Sequence, residues 1–420
     1  MRAELALSAL LLVAGCASVA EPKLPLPLAP EAAEQPLTRA QCTEFALASV
    51  PTAAAWRARL DKAQAALAGA RRMPNPTLAL NFEDLGLSSS AGAPVQTTLM
   101  LGEALADVFS RSRRAAAAEH ELAAEAARLL AERDQLAADV SHAYDGLVVA
   151  RRRLELDRDL VAVAAAQRKA VARFVELGES PRLELEKAEA ERLDAELQAA
   201  EDESAARARE IEFSFALGFE RPVELQLCEG LAPPLAEEQD QLEQLLARAA
   251  EHSPQLKAAG EDYLAALERA HFAASAVRFL PVVRAGPRSV DGQTLGVVEL
   301  ESELPLFDQG QSERAASSAG LLAAAAAVRA AAHELARGLA LAHAAIVAAE
   351  RRLKQQVRPL AEERVRIRQR TELQFHAGEA SYLELVGAQR DEVKARAGVL
   401  DAELELAGAR AELARLLGAR

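Results

Sequence analysis

Residues 177–185 read LGESPRLEL, and residues 377–385 read AGEASYLEL. Gly, Glu, Leu, Glu and Leu keep their places across a separation of 200 positions, and each copy lies between two long helical patterns. A period of this length marks duplication of a whole unit rather than a solenoid of short repeats. The chain therefore has to fold as two copies of one hairpin of helices, each turning at its glycine, Gly178 or Gly378.

The arms of these hairpins carry coiled-coil periodicity. Val140, Leu147, Leu154 and Val161 recur every seven residues, as do Leu122, Leu129, Leu136 and Ala143. The second copy repeats the pattern with Leu339, Ile346, Leu353, Leu360 and Ile367. Apolar residues at such spacings form a seam along one helix face. The spacing predicts a first long helix from about 111 to 176, roughly 100 Å at 1.5 Å per residue. A return helix follows from Pro181, a residue suited to a first helical turn, to about 217. The second long helix runs from after PLFDQG (305–310) to 376, with its own return helix to about 417. Shorter helices are expected over 38–73, broken at Pro51, and over 242–279.

Between the short and long helices of each copy the period changes to two, a strand signal. Strands are expected at 77–84 and 96–103, joined by a loop at 86–94, and at 282–289 and 294–304. In the last of these Val298, Leu300 and Leu304 alternate with Glu299, Glu301 and Glu303. The resulting unit is helix, strand, strand, very long helix, Gly turn, shorter helix. Its first copy spans 38–220 and its second 242–420, with a linker at 221–241 and hairpin tips at 177–181 and 377–381.

The N-terminus, 1–15, reads as a signal peptide: Arg2, an apolar run and a close of small residues. Val13-Ala14-Gly15-Cys16 resembles a bacterial lipobox, which implies lipidation of Cys16. Ala17 in place of Asp then favours the outer membrane. Residues 16–37 hold five prolines and form an extended tether. Export permits a disulfide between the remaining cysteines, Cys42 and Cys228; two separate thiols are the alternative.

The composition excludes several functions. A net charge of −14 with no aromatic-laced basic patch speaks against nucleic acid. No phosphate loop, nucleophile elbow or His-Glu-x-x-His is present, and no cofactor is expected. The methionines are Met1, Met73 and Met100, so there is no soft-metal cluster. His333 and His343 read as helix faces. After the leader no 18-residue apolar run is evident, and a membrane-spanning helix is not expected. Membrane passage then requires a closed β-barrel, because lipid cannot satisfy strand edges. Four strands cannot close one, since bacterial barrels start at eight; three chains would supply twelve. The plainer alternative is a pair of β-hairpins capping a soluble coiled coil.

ARRMPNPTLAL at 70–80, LESELPLFDQGQSERAASSA at 300–319 and the duplicated Gly178/Gly378 turns resemble the TolC-type outer-membrane efflux proteins over nearly the whole mature length. The segments PNPTLALNFEDLG, SPQLKAA and PLFDQGQ are most similar to its heavy-metal-efflux, CzcC-like branch. The pattern departs at LGEALADVFSRSRR, 101–114, where relatives often carry a Gly-Gly-Lys/Arg-like turn. The resemblance implies a mainly α fold with a small β part. Three copies would form a 12-stranded β-barrel in the outer membrane, continued by a helical barrel across the periplasm. It further implies a passive, non-catalytic exit duct, with a periplasmic adaptor and an inner-membrane pump of the RND type as partners.

On that resemblance the hairpin tips would meet the adaptor and form the gate: Leu177, Gly178, Glu179, Leu183 and Glu184, with Ala377, Gly378, Glu379, Leu383 and Glu384. In a trimer Glu184 and Glu384 would stand in rings of three, favouring cations if they face the lumen. Glu179 and Glu379 would equally suit the N-terminal ends of the return helices. Arg284, Arg288, Glu299 and Glu301 are expected to face a water-filled barrel interior. Two rival readings are a periplasmic coiled-coil adaptor, which should carry one hairpin rather than a duplication, and a lipid-anchored structural scaffold.

Overall fold

The computed structural model describes residues 36–83, 96–228, 230–231, 234–235, 240–275, 281–290, 292–302, 304 and 306–418. The leader 1–15, Cys16, nearly all of the tether and the 86–94 loop lie outside the described residues.

The duplication is evident in the element order. The first repeat holds α1 (Arg39–Ser49), α2 (Pro51–Arg71), β1 (Thr77–Glu83), β2 (Gln96–Ala104), α3 (Leu105–Glu176) and α4 (Arg182–Ala216). The second holds α5 (Leu242–His252), α6 (Pro254–Ser275), β3 (Val282–Val290), β4 (Gln293–Glu301), α7 (Gln311–Arg352), a π-turn (Leu353–Val357), α8 (Arg358–His376) and α9 (Tyr382–Leu417). With 72 residues, α3 is roughly 110 Å long. The strands form one antiparallel sheet in the order β1-β2-β3-β4, so the two repeats join where β2 meets β3.

Each hairpin closes on its own seam. In the first, Val140, Tyr144 and Leu147 of α3 and Phe213 of α4 are fully buried with Cys42 of α1. Tyr144 meets the Phe213 ring edge-on at 5.9 Å between centroids. Arg39 lies 5.0 Å above the Tyr144 ring and pairs with the buried Asp145, which fastens α1 to α3. In the second, Leu339, Ile346 and Leu353 pack on Leu406 and Leu413 of α9. Burying side chains of this size contributes about 1.5–3 kcal/mol each.

Several expectations need correction. The first long helix starts at Leu105 rather than near 111, directly after β2 ends at Ala104. The departure at 101–114 is therefore a strand running straight into a helix. In the second repeat the link from Glu301 to Gln311 separates strand from helix, and Leu304 falls outside β4. The helix expected over 242–279 breaks at Ser253, because Pro254 disfavours helical backbone in the residue before it. One segment does pass a length-and-hydropathy test for membrane passage: a window within 311–376, none of it buried inside the chain. The stretch 315–332 within it is rich in alanine, with Leu321, Leu322 and Val328 among them. Finally, Cys42 is buried and Cys228 exposed, and the two are not joined in a disulfide. Cys228 Sγ lies 3.2 Å from the Pro36 carbonyl oxygen.

The seam of the second long helix also shifts. Leu353 is buried, yet Leu360 is 53% and Ile367 39% exposed, and Ala361 is buried instead. The cause is the π-turn, in which the Arg358 N–H donates to the Leu353 carbonyl five residues back. Pro359 has no N–H and its ring would clash with the carbonyl four residues earlier; the wider turn relieves that conflict. The numbering records the same event. Val140, Leu147 and Leu154 match Leu339, Ile346 and Leu353 at an offset of 199, whereas the tips match at 200. Relative to the first repeat, the second holds one more residue over this span, and the π-turn accommodates it.

Candidate functional site: strand faces and hairpin tips

The strand register sorts side chains onto two faces, because directly paired residues share a side. Arg284 pairs with Glu299 and Gly102, Val282 with Glu301, and Arg288 with Thr98. Arg284, Arg288, Glu299 and Glu301 thus lie on one face, as alternation predicts, together with Asn81, Glu83 and Gln96. Ion pairs cover this face: Arg284 with Glu301 and, at 3.7 Å, with Glu299; Arg288 with Glu83 at 2.7 Å. Glu83 and Gln96 were not anticipated, since only the register shows that Arg288 reaches them.

The opposite face is apolar and open. It carries Leu78, Leu80, Phe82, Leu99, Leu101, Val298 and Leu300, all exposed in the single chain. Close β2–β3 packing depends on Gly286, where an added Cβ would sit 1.9 Å from the Leu99 carbonyl oxygen. The outer edges of β1 and β4 have no strand neighbour among the described residues.

At the far end of the helices the two tips share one backbone design. Gly178 has φ +77° and Gly378 φ +78°, a left-handed conformation that L-residues adopt at a cost. Gly178 N–H donates to Val175 and Glu179 N–H to Phe174; Gly378 and Glu379 repeat this with Phe375 and Gln374. These crossed bonds satisfy the last carbonyls of each long helix. Glu179 and Glu379 are fully outside the return helices, and Leu177 and Leu183 are exposed. The Leu383 side chain lies outside the described residues.

The two glutamates expected to match do not. At the second tip Ser381 caps α9, and Glu384 accepts from the Ser381 N–H at 2.6 Å and its hydroxyl at 2.9 Å. These hydrogen bonds hold the Glu384 carboxyl below its usual range. At the first tip Pro181 is the N-cap, no side chain caps it, and Glu184 instead binds Lys187 at 2.8 Å.

The structure also brings the two hairpins together. Tyr382 and Val386 of α9 pack against Val171 of α3 and Ala188 of α4. Burial, then the nearby Glu191 charge, raises the Tyr382 phenol above its usual range. Arg390 reaches Glu191 at 2.6 Å and Asp194 at 3.0 Å, and Gln167 binds Gln389 at 2.7 Å. Sequence reasoning missed these contacts, although a tyrosine in so aromatic-poor a chain was a signal. Among the described residues no group of three or more His, Cys, Asp or Glu side chains is placed to hold a metal ion.

No family model matches the chain. The cobalt-zinc-cadmium resistance protein CzcC of Cupriavidus metallidurans is 26% identical over 407 residues, spanning 94% of this chain and 93% of that protein. The crystal structure of the outer membrane protein VceC from Vibrio cholerae superposes with a TM-score of 0.75 at 17% identity, covering 90% of this chain and 96% of the other. The fold is that of the TolC-type outer-membrane efflux channels. The open-state MtrE outer membrane channel of Neisseria gonorrhoeae agrees, with a TM-score of 0.72 at 20% identity over 90% of this chain and 88% of MtrE.

Proposed function

We propose that this chain is one third of an outer-membrane exit duct in a tripartite efflux system. The observation that carries the reading is the sheet. One face is apolar and exposed, the other is lined with paired charges, and both outer edges lack a strand neighbour among the described residues. Lipid tolerates no open edge, and three copies give twelve strands with every edge closed. The apolar face then meets lipid, and Arg284, Arg288, Glu299 and Glu301 line the water-filled interior. The hairpin tips, Leu177–Glu184 and Ala377–Glu384 by number 177–184 and 377–384, project into the periplasm toward an adaptor and an inner-membrane pump of the RND type. The signal peptide and a lipid on Cys16 deliver and anchor the chain. The likeness to a cobalt-zinc-cadmium resistance protein favours metal cations as the cargo.

The test exchanges one residue on each strand face. Val298→Glu places a charge against lipid, a cost somewhat below the roughly 2–4 kcal/mol of a midplane arginine. Glu299→Val removes a charge from the watery face. Membrane fractions run unboiled on gels should show a heat-sensitive trimer for the natural chain and for Glu299→Val, with much less for Val298→Glu. The reverse ranking overturns the assignment of faces, and a soluble monomer of the natural chain overturns the duct.

A further inference from the structure

About five helical turns from the tips, α3, α4 and α9 line an open cleft of about 750 Å³. Asp157 of α3 lines it, is only 5% exposed, and has no hydrogen-bond partner for Oδ2. The group that faces it is another carboxyl, Asp202 of α4. Two ionised carboxylates are acceptors only and repel each other. Two arginines near it are already engaged. Arg153, one turn from Asp157, donates to Asp202 at 3.0 Å and to Asp401 of α9 at 3.3 Å. Arg390 of α9 is held by Glu191 and Asp194 of α4. The remaining charged groups on the cleft wall are Glu201 of α4 and Lys394 of α9.

We propose that Asp157 and Asp202 form an acid–carboxylate pair sharing one proton, and that loss of this proton loosens the contact between the first hairpin and α9. Ionised Asp157 needs a cation, and Arg153 on its own helix is the one at hand. Turning Arg153 toward Asp157 takes it from Asp401, its partner across the hairpin boundary. The released proton passes to water through the cleft. Burial first, then the hydrogen bond and charge of Asp202, push the Asp157 carboxyl up from 3.8 to about 7. The folded state therefore holds a proton that the unfolded chain releases at lower pH. The stabilisation is fully present below 3.8 and is lost as pH rises through about 7. The inference uses contacts within one chain, so it stands or fails separately from the duct reading.

Hydrogen–deuterium exchange on the full chain in detergent micelles tests it, at pH 6 and pH 8 with the intrinsic exchange rate divided out. In the natural chain, local opening of α9 around 393–401 should increase several-fold at pH 8. In Asp157→Asn, which supplies a permanent donor to Asp202, it should not change. Infrared spectra of the natural chain provide a readout that needs no variant: a protonated carboxyl band present at pH 6 and reduced at pH 8. Asp202→Asn replaces Asp157→Asn if the latter does not fold. Absence of that band at pH 6, or an equal pH response in the natural chain and the Asn variant, overturns the proposal.

Discussion

The two hairpins began as one unit and now differ in their long arms. In the first, α3 is a single α-helix from the sheet to the tip. In the second, the same path is cut by a π-turn and Pro359 into α7 and α8. The tips remain alike in backbone but not in their caps: Ser381 with Glu384 at one, Pro181 at the other. Duplication thus preserved the feature that turns the chain and relaxed the features that set local stiffness.

The sharpest way to break this comparison is to remove the extra residue. Deleting Gln356 should force Pro359 into an unbroken α-helix, at a cost of about 3 kcal/mol or more. Combining that deletion with Pro359→Ala should recover most of the loss, measured as the denaturation midpoint in detergent. If the deletion alone is harmless, the π-turn is not an accommodation of Pro359. Smaller effects are expected at the tips. Gly178→Ala and Gly378→Ala should each cost about 1–2 kcal/mol through the left-handed backbone, and by similar amounts, since neither site has a heavy atom within 4 Å of an added Cβ. Clearly unequal losses would show that the two turns differ in more than their caps.

The caps give the smallest effect. Ser381→Ala should cost about 1 kcal/mol. Pro181→Ser creates Ser-Arg-Leu-Glu, a capping box on the pattern of the second tip, and should draw Glu184 from Lys187 to the new cap. Because the Glu384 carboxyl is held below its ordinary value by Ser381, its contribution is present above the ordinary carboxyl range and lost as pH falls through the lowered value. Stability of the natural chain should therefore fall more in acid than that of Ser381→Ala. Equal acid sensitivity of the two proteins would remove the capping box from the account.

Much of this molecule was legible in advance because its elements are long and strongly patterned. Val140, Leu147 and Leu154 lie on an unbroken helix, so a seven-residue count tracks the buried face. Strand alternation likewise placed Arg284 and Glu299 on one face, since a period of two leaves no choice once one residue is fixed. The count failed at Leu360 and Ile367 because their spacing continues in the sequence after the backbone has slipped by one. Pro359 was the clue, along with the change of offset from 199 to 200. Contacts between hairpins, such as Arg390 with Glu191 and Asp194, were not legible. Any of many surface charges could have made them, and only the relative placement of the two copies selects among them.

The junction at Ala104 and Leu105 has a mechanical consequence. A twist applied at the first tip travels along a continuous shaft into β2, without an intervening joint. The second arm has a π-turn at Leu353–Val357, and the link between Glu301 and Gln311 parts it from β4. Of two levers grown from one ancestor, one conveys torque to the sheet while the other can bend and leave it at rest.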